Sequence, residues 1–193
     1  MTNNDILRRL RYVFDFDDSA MISLFALDGH EVSRAEVSDW LKKEDDPLFH
    51  MCGDALLAGF LDGVINDMRG KKEGEPEAEP VKFEGRLTNN MILRKLIIAL
   101  NLKADDTLKI LSSVNFIISK HELSAFFRKV GHKHYRECKN QILRNFLNGL
   151  QLKYRDITEL KQVFDDAEIA AEAEAEVKNE SRDSKDVSDV WAR

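Results

Sequence analysis

The chain has 193 residues, a net charge of −6, and only 3 Pro and 9 Gly. That length holds one or two domains, and few turn formers beside abundant Leu, Lys, Asp and Glu favour helices over short strands. The densest apolar run, Leu96 to Leu102, is interrupted by Asn101 and followed by Lys103, which excludes a membrane span. The start Met1-Thr2-Asn3-Asn4-Asp5 lacks the pattern of an export signal, and two cysteines cannot staple a chain of this size, so a reduced cytoplasmic protein is expected.

The dominant feature is an internal repeat. Thr2-Asn3-Asn4 recurs as Thr88-Asn89-Asn90, 86 residues later, and the same offset holds without a gap. Ile6, Leu7, Arg8 and Leu10 meet Ile92, Leu93, Arg94 and Leu96; Ser33 and Glu36 meet Ser119 and Glu122; Cys52 meets Cys138; Phe60, Leu61 and Gly63 meet Phe146, Leu147 and Gly149. Chance matches would scatter over many offsets, so one constant offset implies a duplicated domain.

Each copy reads as four helices. The first follows Asn4 or Asn90 as cap, with Ile6, Leu7, Leu10 and Val13 at helical spacing. The second covers 18–27, its positive end matched by Asp17 and Asp18. The third opens on a Ser-x-x-Glu capping box, Ser33 to Glu36 and again Ser119 to Glu122. The fourth is expected to start with Asp46 as cap and Pro47 as first residue, with Cys52, Leu56, Leu57, Phe60, Leu61 and Val64 as its apolar stripe. Gly63 and Gly149 suggest either close backbone approach, at the contact between the copies, or an end of the helix near Gly63. The fold class is therefore all-α: copy one in 1–69, a charged flexible linker in 70–87, copy two in 88–154, and an acidic tail in 155–193. The tail is expected to be helical over 157–175 and to end in an apolar cluster of Val187, Val190 and Trp191.

Several motifs occur in order at familiar spacings. Asn4-Asp5-Ile6-Leu7-Arg8 with Arg11-Tyr12, Trp40-Leu41-Lys42-Lys43-Glu44-Asp45, Arg136-Glu137-Cys138 and Phe146-Leu147-Asn148-Gly149-Leu150 resemble the YehS family. That resemblance implies a bacterial cytoplasmic protein built as a tandem domain of unknown function. It covers residues 1 to about 154 and brings no activity, cofactor or catalytic residue; the acidic tail departs from the compact family pattern.

Candidate chemistry is sparse. His132, His134 and Cys138 form His-x-His-x-x-x-Cys, and His50 with Cys52 stands at the equivalent place. Zinc asks for four such ligands, and the copies offer three and two, so the cysteines read as core residues and no metal is expected. Glu36 and Glu122 are explained by capping. No glycine-rich phosphate loop and no serine elbow is present, so neither enzyme activity nor a cofactor is expected. Arg8 and Arg94 are not explained by capping; they serve either a salt bridge or a binding contact made by both copies.

Charge is polarised along the chain. Residues 1–70 have 7 Lys/Arg against 14 Asp/Glu, residues 88–155 have 13 against 4, and residues 156–193 have 5 against 12. In copy two, Arg128, Lys129, Lys133, Arg136, Lys139 and Arg144 gather around the connection from third to fourth helix. The stretches from Ile22 to Lys43 and Leu108 to Lys129 loosely match helix-turn-helix spacing. Two functions follow as expectations. The first is a protein-interaction or adaptor module with two related surfaces and a docking tail. The alternative is a nucleic-acid-binding protein that uses the basic copy under competition from its acidic tail. Under a third view the basic block only balances its acidic neighbours.

Overall fold

A computed structural model describes residues 1–70, 83 and 85–155 of the chain. Among these residues the secondary structure is entirely helical. Copy one contains α1 (Asn3–Phe14), α2 (Asp18–Ala26), α3 (Arg34–Leu41) and α4 (Asp54–Arg69). Copy two contains α5 (Asn89–Ala99), α6 (Ala104–Ser112), α7 (Lys120–Ala125) and α8, which covers 140–155. No helix among the described residues is long and apolar enough to cross a membrane. The proposed tail helix and the Val187–Trp191 cluster lie outside the described residues, as do 71–82 and 84 of the linker.

The capping boxes form as the sequence implies. Ser33 accepts from Glu36 N while Glu36 accepts back from Ser33 N, and Ser119 and Glu122 repeat the arrangement. Those hydrogen bonds hold both exposed glutamates below the usual carboxylate range. The first helix corrects the reading. Thr2 and Thr88 are its caps, accepting from Asp5 N and Met91 N. This leaves Asn4 and Asn90 inside the helix, where they are buried at 0% and 7% exposure and able to reach other elements.

They reach the connection between third and fourth helices. Asn4 donates to the carbonyls of Trp40 and His50, both at 2.8 Å, and accepts from Cys52 N at 3.1 Å. Asn90 repeats all three bonds with Phe126, Arg136 and Cys138 at 2.9, 2.8 and 2.9 Å. One side chain thus holds both ends of an eleven-residue segment, 40–50 or 126–136, which makes each an Ω-loop. Asn3 and Asn89 add a bond to the carbonyl of Cys52 or Cys138. The fastening also moves the start of the fourth helix. Asp46 and Pro47 sit in the loop, with Asp46 accepting from Leu48 N, and α4 begins only at Asp54 behind Gly53. Cys52 and Cys138 therefore precede the helix instead of lying on its stripe, but both are buried.

Gly63 and Gly149 do mark a close approach, but within each copy. A Cβ on Gly63 would lie 1.8 Å from the carbonyl oxygen of Leu24, and one on Gly149 would lie 2.3 Å from that of Ile110. The glycines let the fourth helix cross the second almost backbone to backbone. Leu57, Phe60, Leu61 and Val64 then pack on Leu24, Phe25, Val37 and Trp40, and their counterparts do the same in copy two. Each such fully buried side chain contributes about 1.5–3 kcal/mol of transfer free energy. The helix-turn-helix expectation fails: seven residues separate α2 from α3 and again α6 from α7, where that motif uses a turn of three or four.

The copies join through reciprocal contacts, and their buried residues belong to one hydrophobic cluster. Helix α4 runs beside α5, and α1 runs beside α8. Lys95 pairs with Asp62 on one seam, and at the equivalent place Arg9 donates to Asn148 Oδ1 at 2.6 Å on the other. Arg69 donates to Ile98 O and Asn101; Arg155 donates to Tyr12 O and Asp15. Both sets of contacts recur with the copies exchanged, as a two-fold relation requires.

Candidate functional site

The two arginines common to both copies each contact the connection from third to fourth helix. Arg8 donates to Lys42 O at 2.5 Å and pairs with Asp5 at 2.6 Å. Arg94 donates to Phe127 O at 2.5 Å, and its guanidinium lies 5.7 Å from the centre of the Phe127 ring. Each braces the base of its own Ω-loop, which accounts for their presence in both copies.

The Ω-loops differ in what they display. Residues 41–49 read Leu-Lys-Lys-Glu-Asp-Asp-Pro-Leu-Phe; residues 127–135 read Phe-Arg-Lys-Val-Gly-His-Lys-His-Tyr. The second loop carries three cations and no carboxylate. It is shaped by turns in which Lys129 O accepts from His132 N and His132 O accepts from Tyr135 N. Gly131 adopts φ of 88°, a left-handed conformation that favours glycine. The chain then rejoins α7 as Arg136 N donates to Ala125 O at 3.2 Å.

Arg128, Lys129, Lys133, Arg136, Lys139 and Arg144 are all exposed. Ion pairs elsewhere engage Asp5, Asp15, Asp18, Asp39, Asp62 and Asp105 with other cations. Among the described residues, none of the six basic side chains is paired with a carboxylate. The six therefore do not balance the acids of copy one by contact; they face solvent, braced from beneath by Asn90 and Arg94.

The histidine and cysteine pattern does not converge on one centre. His132 and His134 stand exposed with ring centres 5.6 Å apart, and His132 Nδ1 accepts from His134 N at 3.1 Å. Cys138 is buried with 0% exposure. Burial pushes its thiol up to about 12, and the charge of Glu137 adds to that shift. Cys52 is likewise pushed up to about 12 by burial, with help from Asp54. Such thiols are poor nucleophiles and poor metal ligands near neutral pH.

One concave feature escapes the sequence. An open cleft of about 370 Å³ lies at the α1–α8 seam, lined by Asp5, Arg8, Arg9, Tyr12 and Gln151. Four of its residues share α1, and the packing of the copies brings Gln151 of α8 against them.

Comparison with known proteins agrees with the duplication. The family model described as "Protein of unknown function (DUF1456)" matches residues 3–70 and again 89–156, two matches separated by the repeat offset. "Uncharacterized protein YehS" of Escherichia coli (strain K12) is 43% identical over 150 residues, covering 78% of this chain and 94% of that protein. No solved structure matches. The chain belongs to the DUF1456 family, carries two tandem copies of its domain, and shares the architecture of a YehS-like protein.

Proposed function

We propose that this protein binds nucleic acid through the basic Ω-loop of copy two. The observation that carries the reading is the solvent-facing set Arg128, Lys129, Lys133, Arg136, Lys139 and Arg144, unpaired with carboxylates among the described residues. Cations already committed to acids would gain little from a phosphate backbone. Uncommitted ones release the counterions condensed on it, which is the main source of non-specific affinity. A loop held at both ends by one buried asparagine also loses little conformational freedom when it docks. Residues 156–193, with 12 Asp/Glu against 5 Lys/Arg, compete for the same cations.

The test is fluorescence anisotropy with labelled single- and double-stranded DNA across salt concentrations. Binding should be clear at about 50 mM salt and weaken by one or more decades by about 200 mM. Removal of residues 156–193 should strengthen it, with the gain shrinking as salt screens both contacts. The combined variant R128Q/K129Q/K133Q/R136Q should abolish binding. Absence of binding at about 50 mM salt by both the full chain and the tail-deleted chain overturns the reading.

A second reading, a protein-interaction or adaptor module, rests on apolar side chains raised on connections in both copies. Met51 is 74%, Ile117 86% and Val130 83% exposed. Pull-down from cell extract followed by M51D and V130D variants tests it: loss of one defined partner in the variants supports the reading, and unchanged recovery sinks it.

A further inference from the structure

The two seams between the copies are equivalent by the two-fold relation, yet their side chains diverge in one direction. On the α4–α5 seam, one set of equivalent positions holds Ala58, Ile65, Met91 and Ile98. On the α1–α8 seam the same positions hold Arg144, Gln151, Asp5 and Tyr12. These four apolar residues of one seam have polar or aromatic-polar counterparts in the other, and the second seam contains the 370 Å³ cleft. Arg8 and Arg9 both line it, and Tyr12 is 46% exposed.

The free bonding capacity in the cleft is mostly donor. Arg8 uses one N–H on Lys42 O and one on Asp5, and Arg9 uses one on Asn148. A guanidinium has five N–H groups, so most of the donors on both remain open, and Gln151 and Tyr12 can donate as well. The one carboxylate, Asp5, is already occupied by Thr2 N and Arg8. Those bonds hold it below the usual range against the opposing push of its partial burial. The Arg9 guanidinium, engaged by no carboxylate among the described residues, stands beside the exposed phenol of Tyr12, and the pair suits a tetrahedral oxyanion that carries a planar group. The space exceeds what a phosphate alone would fill.

We propose that the α1–α8 cleft is a phosphate site for a nucleotide, free or within a strand, with the base against Tyr12. The proposal builds on the nucleic-acid reading and extends it. Arg144, Asn148 and Gln151 follow one another on a single stripe of α8, at steps of four and three residues. The helix begins immediately after Lys139 at the end of the basic loop connection. From Lys139 to Gln151 the helical rise is about 18 Å, so one strand can run from the loop to the cleft.

The experiment uses the full chain, a short oligothymidylate and adenosine 5′-monophosphate. Anisotropy follows the oligonucleotide, and proton–nitrogen NMR of the Gln151 amide and the arginine side chains follows the nucleotide. Arg9→Gln and Gln151→Glu should each weaken oligothymidylate binding roughly tenfold, the size of one charge-assisted contact. Lys95→Gln, the same change on the opposite seam, should not. Circular dichroism and melting curves confirm that each variant folds, and Gln151→Glu leaves the Arg9–Asn148 contact in place if Arg9→Gln does not fold. Wild-type binding unaffected by either cleft variant overturns the cleft and leaves the basic-loop reading standing. Perturbation of the cleft by the nucleotide without any oligonucleotide binding supports the cleft and overturns the loop reading. No response to either probe overturns both.

Discussion

The loops at 40–50 and 126–136 are one piece of architecture made twice. Their fasteners agree bond for bond: Asn4 and Asn90 make three hydrogen bonds each to equivalent partners, and no bond differs from its counterpart by more than 0.2 Å. What the loops show to solvent is opposite in sign, with Glu44, Asp45 and Asp46 facing the positions of Val130, Gly131 and His132. Buried polar groups must be satisfied, and each leaves little freedom to change. Exposed side chains carry no such constraint, so duplication kept the frame and released the display. The same division holds at the seams, where reciprocal side-chain contacts persist while four equivalent positions change from apolar to polar.

The fastener is where the comparison breaks most sharply. Asn4→Ala strands two carbonyls and one N–H in a site with 0% exposure. Each unsatisfied buried group costs about 1–3 kcal/mol, so the loss should reach about 3 kcal/mol or more. Asn90→Ala breaks the same bonds at 7% exposure, where water reaches the freed groups more easily, and should cost less. Urea unfolding of the two variants ranks them; equal losses would mean that solvent access does not decide the matter.

The glycine crossings come next. Adding a Cβ at Gly63 brings it 1.8 Å from a backbone oxygen, against 2.3 Å at Gly149. Overpacking of this kind costs about 1–3 kcal/mol, with the backbone itself obliged to move in both copies. Gly63→Ala should therefore lower the melting temperature more than Gly149→Ala. The reverse order would show that α2 and α4 slide apart more easily in copy one.

Much of this was legible in the sequence. The repeat offset, the all-helical class and the Ser33 and Ser119 boxes depend on residues close together in the chain, so local chemistry decides them. The start of the fourth helix was misread because Asp46-Pro47 is a sound local signal overruled by Asn4, a residue 36 and 46 positions from the carbonyls it holds. The same distance hid the meaning of Thr-Asn-Asn, although its identical recurrence was the cue. The basic loop could be found from charge alone. The α1–α8 cleft could not, since Arg9 and Asn148 meet across 139 residues.

Thiol reactivity should be the same in the two copies. Both thiols are pushed up to about 12, chiefly by burial, so neither supplies thiolate near pH 8. An aromatic disulfide reagent should label Cys52 and Cys138 only as fast as the fold opens, and at equal rates. Faster labelling of one would show that its Ω-loop opens independently of global unfolding.

The smallest effect lies where copy one keeps an acid that copy two replaces with Val114. Burial raises the carboxyl of Asp28, and Asp62 pushes in the same direction, while His30 and Lys95 oppose them. His30 Nε2 lies 3.6 Å from Asp28 and packs so close to Gly59 that a Cβ there would clash with its ring. An acid raised by folding favours the fold while protonated, and that contribution disappears as pH rises through its folded value. At neutral pH Asp28 is therefore a charge the fold holds at a cost, in a place where copy two is apolar. Asp28→Asn should raise the melting temperature by a few degrees or less at pH 7. The gain should vanish near pH 3, where the native carboxyl is neutral in both folded and unfolded chains. A lower melting temperature at pH 7 would show instead that the contact with His30 outweighs desolvation and the repulsion from Asp62, making the acid a stabilising member of its copy.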